Sequence, residues 1–95
     1  MTPADRPLQH PNAAWREVDG EVVIISPEDS VLHELNETAS FIWKHATGEL
    51  RAEEIAARLA SEFDVNGETA LLDTCELVNH LEQQKLLCIA EAGKE

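Results

Sequence analysis

The sequence predicts an α+β fold in which a three-stranded antiparallel sheet is followed by three helices. Three observations carry that expectation. Asp19-Gly20 lies between two β-prone runs, the pattern of a two-residue hairpin turn. Residues 31–35 are extended in character and run directly into a helical pattern, with Asn36 at the joint as a helix cap. Two further stretches repeat apolar residues at helical spacing.

Taken in order, residues 1–13 carry Pro3, Pro7 and Pro11 among polar residues, and each proline removes a backbone donor, so this part reads as a disordered tail. The hairpin follows, with Trp15-Arg16-Glu17-Val18 on one side and Glu21-Val22-Val23-Ile24-Ile25 on the other. A type I′ turn sets Val18 opposite Glu21 and Trp15 opposite Ile24. Neither face is purely apolar in that register, which leaves open the side that meets the core. Pro27-Glu28-Asp29 turns the chain into Val31-Leu32-His33-Glu34-Leu35, the third strand of a meander.

The first helix presents Ala39, Ile42, Trp43 and Ala46 on one face and ends at Thr47-Gly48. The second spans residues 52–63, with Ala52, Ile55, Ala56, Leu59 and Phe63 as its apolar stripe and glutamates in its first turn. Asn66 caps a third, roughly 67–84, whose broad apolar arc includes Ala70, Leu71, Cys75, Leu77, Val78 and Leu81. Leu86-Leu87-Cys88-Ile89 is a last strand or a segment folded back onto the core. The expected organisation is a domain over 14–89, with a second disordered tail at 90–95.

A chain of 95 residues that is 43% hydrophobic has room for one small core. No apolar run has signal-peptide or membrane-spanning character, so a cytoplasmic location is expected. A net charge of −12 repels phosphate backbones and anionic lipid, which argues against nucleic acid and membrane as partners. Cys75 and Cys88 form no CxxC pair and read as reduced core thiols. His10, His33, His45 and His80 share no ligand spacing, so neither a metal nor a cofactor is expected. The carboxylates lie on polar helix faces and no catalytic signature occurs, which points away from an enzyme. Asp29-Ser30-Val31 resembles the Asp-Ser-Leu of acyl carrier proteins, but a hairpin precedes this serine where those proteins have a helix.

Several pieces together resemble the PqqD family: Gly20-Glu21-Val22-Val23-Ile24-Ile25, Leu35-Asn36-Glu37-Thr38-Ala39 with Ile42-Trp43, Gly48 ahead of Glu53-Glu54-Ile55, and Asp73 ahead of Leu77-Val78-Asn79-His80-Leu81. These are the small peptide chaperones of pyrroloquinoline quinone biosynthesis, part of a wider class of recognition elements for ribosomally made, modified peptides. The pieces span about 14–89, and Leu-Asn-x-x-Ala-x-x-Ile-Trp is the most specific. Two departures fall at helix ends: Arg51 stands where the family usually caps the second helix with Ser or Thr, and Lys85 where it often ends the third with Gly.

The resemblance implies a winged-helix-like fold without catalysis, which holds the leader of a precursor peptide and presents it to a modifying enzyme, commonly a radical S-adenosylmethionine (radical SAM) maturase. An open strand edge receives such a peptide as an added strand, with alternate side chains seated in a neighbouring groove. The expected site is Val31, Leu32, His33, Glu34 and Leu35 on that edge, with the third helix as the other wall, through Asp73 and Leu77 on one flank or Leu72 on the other. Val31, His33 and Leu35 serve equally well as core residues. Phe41 lies off the first helix's core stripe and is a candidate for enzyme docking. The chain is expected to be a monomer or weak homodimer. A winged-helix DNA-binding regulator is the rival reading, opposed by the charge and by a third helix without arginine.

Overall fold

The structure, a computed structural model, describes residues 2–90. Its elements run β1 (Arg6–Gln9), β2 (Ala14–Val18), β3 (Glu21–Ile25), β4 (Leu32–Glu34), α1 (Glu37–Lys44), α2 (Ala52–Phe63), α3 (Gly67–Gln83) and β5 (Leu87–Ala90). A three-stranded antiparallel sheet has the order β2-β3-β4, and β1 pairs with β5 in a separate two-stranded sheet. Of the tail expected at 90–95, Ala90 is instead the last residue of β5, and 91–95 lie outside the described residues.

Asp19 and Gly20 both take positive φ, 55° and 85°, as a type I′ turn requires, and Val18 pairs with Glu21 and Trp15 with Ile24. The open question of the hairpin's core side is settled by β3. Val22 and Ile24 are buried, and Trp15 shares their side, its ring edge-on to Trp43 at 6.0 Å between centroids. The other side, with Val23 and Ile25, is the outer face. Because β3 is central, β2 and β4 are both edges.

All three helices are where the periodicity places them. Asn36 caps α1 by accepting the Ala39 N–H at 2.9 Å, and Asn66 caps α3 by accepting from Glu68 at 2.7 Å. The two departures at helix ends have local remedies. Arg51 offers no side-chain cap to α2, but Glu54 reaches back to accept the Arg51 N–H at 2.8 Å. That bond, first among several causes, holds the Glu54 carboxyl below its ordinary value. Lys85 takes the left-handed conformation at φ 64°, with Lys85 N–H bonded to Glu82 and Leu86 N–H to Leu81, a Schellman closure built without glycine.

Ile42, Trp43, Ile55, Leu59, Val78 and Leu81 meet Val22 and Ile24 in the core. Phe41 corrects an expectation: it is half-buried, edge-on to Phe63 at 5.6 Å, and helps to join α1 to α2 rather than standing free for a partner. Thr74 is fully buried, and its Oγ1 lacks a hydrogen-bond partner among the described residues. Thr74→Val keeps the shape and removes the unsatisfied hydroxyl. It is expected to raise the unfolding free energy by about 1 kcal/mol, read as a higher urea midpoint at unchanged slope.

The expected tail over 1–13 is overturned for Arg6–Gln9, which is strand β1, in register Pro7↔Ile89 and Leu8↔Cys88 against β5. Pro7 is compatible with this strand because of the side its nitrogen faces. His10 N–H bonds to Leu86 O, so Leu8 also turns its backbone to β5, while Pro7 and Gln9 turn to the loop after α1. There Gln9 N–H bonds to Ala46 O, and Pro7 O accepts Gly48 N–H. The approach is close: a Cβ on Gly48, at φ 84°, would lie 3.3 Å from Leu8 Cδ1. The last apolar run is therefore a strand, and its partner is the proline-rich segment.

Candidate functional site

The site is built on β4. Leu35 N–H bonds to Val22 O and Ser26 N–H to Val31 O, so residues 31, 33 and 35 turn their backbone groups toward β3. Alternation leaves the N–H and C=O of Leu32 and Glu34 facing away from the sheet, at its open edge.

Both ends of this short strand are fixed by side chains. At its start, Asp29 Oδ1 accepts the Val31 N–H at 3.1 Å, and that bond, with a second from Ser26, holds the Asp29 carboxyl below its ordinary value. At its end, the buried Ser40 hydroxyl accepts Val22 N–H at 2.7 Å and donates to Leu35 O at 3.2 Å. A hydroxyl from α1 thus stands in for the last rung of the β3–β4 ladder. It ties the strand to the helix that follows it. Ser30, at φ 60°, lies in the turn before β4 and does not begin a helix, unlike the serine of an acyl carrier protein.

Beside the edge, a cleft of about 270 Å³ separates β4 from α3, with His33, Glu34 and Leu35 on one wall and Leu77, His80 and Leu81 on the other. It continues past Asn36 and Ala39 into a second hollow of about 390 Å³, where Asp73 and Glu76 join Leu77 and His80, and Ile42 contributes apolar surface. Asp73 and Glu76 make the α3 wall acidic around this apolar lining. A side chain opposite His33 on an added strand would point to the same side as His33, into this cleft.

Of the residues expected from sequence, Leu32, His33 and Glu34 form β4, and Asp73 and Leu77 stand across from them. Leu35 is 8% exposed, filling core and cleft wall together. Val31 precedes the strand and is exposed. Leu72 is corrected: at 59% exposure it lines neither hollow, because it projects from a different side of α3. The residues missed are Asn36, Thr38, Ala39, Glu76 and His80. The spacing 73, 76, 77, 80 places the α3 residues on one helical face, so the signal was present once Asp73 and Leu77 were chosen.

Among the described residues no group of three or more His, Cys, Asp or Glu side chains is placed to hold a metal ion, and no helix is long and apolar enough to cross a membrane. Cys75 is half-buried, and burial pushes its thiol up.

The sequence model of the Coenzyme PQQ synthesis protein D (PqqD) family matches residues 21–87. Two solved structures share the fold. TbiB1 in complex with the TbiA(beta) leader peptide superposes with a TM-score of 0.77 at 23% identity, covering 93% of this chain and 99% of that one. Lasso peptide synthetase B1 complexed with its leader peptide gives 0.77 at 22% identity, covering 87% and 98%. No curated protein matches the chain in sequence.

Proposed function

The chain belongs to the PqqD family, and from that premise we propose that it is a non-catalytic peptide chaperone, which takes the leader of a precursor peptide as a strand added to β4 and presents it to a modifying enzyme. The observation that carries this reading is the outward-facing backbone of Leu32 and Glu34 beside a cleft walled by Asp73, Leu77 and His80. The edge offers main-chain hydrogen bonds in any sequence, while the cleft selects alternate side chains. Val31 and Leu35 flank the contact. The leader complexes formed by the two structural neighbours favour the same reading. A radical SAM maturase is the proposed recipient, because that enzyme class is the common partner in the family.

The second edge, β2, sets the test. It is equally unpaired, and every one of its residues is exposed. The trough along it is lined by residues of the sheet alone, so it lacks the helix wall that would select side chains. Titrating the isotopically labelled protein with the leader peptide encoded beside its gene should shift the amides of Leu32, Glu34, Leu77 and His80. Shifts confined to β2 or to the termini would overturn the assignment to β4. Adding the neighbouring maturase to the loaded complex should then retain the peptide in a ternary complex.

A further inference from the structure

The cleft beside β4 changes character along its length, and the change is in step with an added strand. Side chains of such a strand enter the cleft at every second residue, ~6.8 Å apart. Four residues of helix advance ~6 Å, so successive inward positions meet successive turns of α3, along the ridge Leu81, Leu77, Asp73. The lining follows that order. Beside His33 and Leu35 the α3 wall is Leu77, His80 and Leu81. In the second hollow, past Asn36, it is Asp73, Glu76, Leu77 and His80.

The second hollow combines an apolar floor with acceptors at its rim. Ala39, Ile42 and Leu77 supply the floor. Neither Asp73 nor Glu76 has an ion-pair partner among the described residues. On the α1 side, Asn36 Oδ1 accepts the Ala39 N–H at 2.9 Å, so the 3.0 Å contact of Thr38 Oγ1 with the same oxygen uses the Thr38 proton. What Thr38 has left for the hollow is an acceptor oxygen. The positive end of α1 adjoins this place, but it is a partial charge, offset by Glu37 in the first turn. A long apolar stem with a cationic head fits such a hollow, the stem along the floor and the head among the acceptors. An acidic side chain would meet two like charges, and an apolar one would gain nothing from the rim.

We propose that the leader is read at two positions two residues apart: an apolar side chain opposite His33, packed on Leu77 and Leu81, and a lysine or arginine at the next inward position toward α1, held by Asp73 and Glu76. This rests on strand addition at β4 and adds to it the class of leader the cleft accepts. Main-chain bonds along the edge form with any extended peptide, so the pair of side chains is what distinguishes one leader from another. The order of the pair reports the direction of the added strand. A leader antiparallel to β4 carries the cationic residue first, and a parallel one carries the apolar residue first. The net charge of −12 acts in the same sense at longer range, drawing a cationic peptide toward the protein.

The leader peptide encoded beside the gene is the probe, and its sequence should contain such a pair. Titration calorimetry at about pH 8, above the ordinary range of imidazole, compares the wild type with a double variant, Asp73→Asn with Glu76→Gln, whose changes are isosteric and lie at exposed positions. Leader affinity is expected to fall roughly three- to tenfold, as for two partly exposed ion pairs, and its salt dependence to flatten. Replacing the leader's cationic residue with norleucine keeps the stem and removes the charge. It should cost the wild type a similar factor and the double variant almost nothing more. Amide shifts at Leu32 and Glu34 on leader addition, followed in both proteins, separate this inference from the reading beneath it. With those shifts present in both, an affinity indifferent to the two carboxylates, or an equal loss from norleucine in both proteins, overturns the cationic position and leaves strand addition at β4 standing. With the shifts absent from the wild type, both fall. A leader that binds at β4 without an apolar and a cationic residue two positions apart also overturns the inference.

Discussion

Ser40→Ala is expected to lower the unfolding free energy by about 2–4 kcal/mol, among the largest losses available from deleting one oxygen in this chain. Among the described residues the Ser40 hydroxyl is the only hydrogen-bond partner of Val22 N–H, and it donates to Leu35 O, all in a buried setting. Removing it leaves a buried donor and a buried acceptor facing each other across a gap, each costing ~1–3 kcal/mol. The void itself adds little, since one oxygen is smaller than a methyl group. Urea unfolding checks this as a fall in midpoint at constant slope. Ser40→Thr retains the hydroxyl and should recover much of the loss. A midpoint within error of wild type for Ser40→Ala would mean that Leu35 N–H→Val22 O alone holds the end of β4.

Ser40 also marks where sequence reasoning stops. The elements that were legible announce themselves within a few residues: Asp19-Gly20 for the hairpin, Asn36 and Asn66 for helix starts, and the Ala52 to Phe63 stripe for α2. A serine between two apolar helix positions looks like a tolerated polar residue. Its role depends on Val22, eighteen residues away, arriving at hydrogen-bond distance. Strand β1 was hidden for the same reason at greater range. Its Leu8 accepts from the Cys88 thiol across eighty positions, and prolines are local signals against a strand unless the side they face is known.

The candidate site divides along the same line. That a short extended segment precedes Asn36 is local information, whereas its position as an outermost strand depends on the order β2-β3-β4. The wall of the cleft required the rotation of α3 about its own axis. The apolar arc of α3 is broad enough to permit both flanks, and Val78, Leu81 and Thr74 packing into the core fixes Leu77 toward β4 and leaves Leu72 in solvent. Phe41 was misread because Phe63, its contact, belongs to another helix.

Leu32→Pro is the sharpest test of function, because it removes one backbone donor and breaks no hydrogen bond among the described residues. The Leu32 N–H faces away from β3, so proline there costs the free protein no ladder bond. An arriving strand loses that bond and meets the proline ring where it must approach most closely. Leader affinity is expected to fall at least about tenfold, which corresponds to roughly 1.4 kcal/mol, the upper part of the range for one net hydrogen bond with some steric cost added. Isothermal titration with the leader peptide measures it. Two controls fix the interpretation. His33→Pro strikes the neighbouring residue, whose N–H points into the ladder with Ile24, and should unfold β4 instead of merely blocking it. Glu17→Pro places the same substitution on the other edge, where alternation along β2 turns Glu17 outward as it turns Leu32 outward on β4. It should leave leader affinity unchanged. The opposite result, with Glu17→Pro weakening the leader and Leu32→Pro harmless in a folded protein, would move the added strand to β2. It would also separate the binding edge from the acidic cleft, so that specificity would have to come from the outer face.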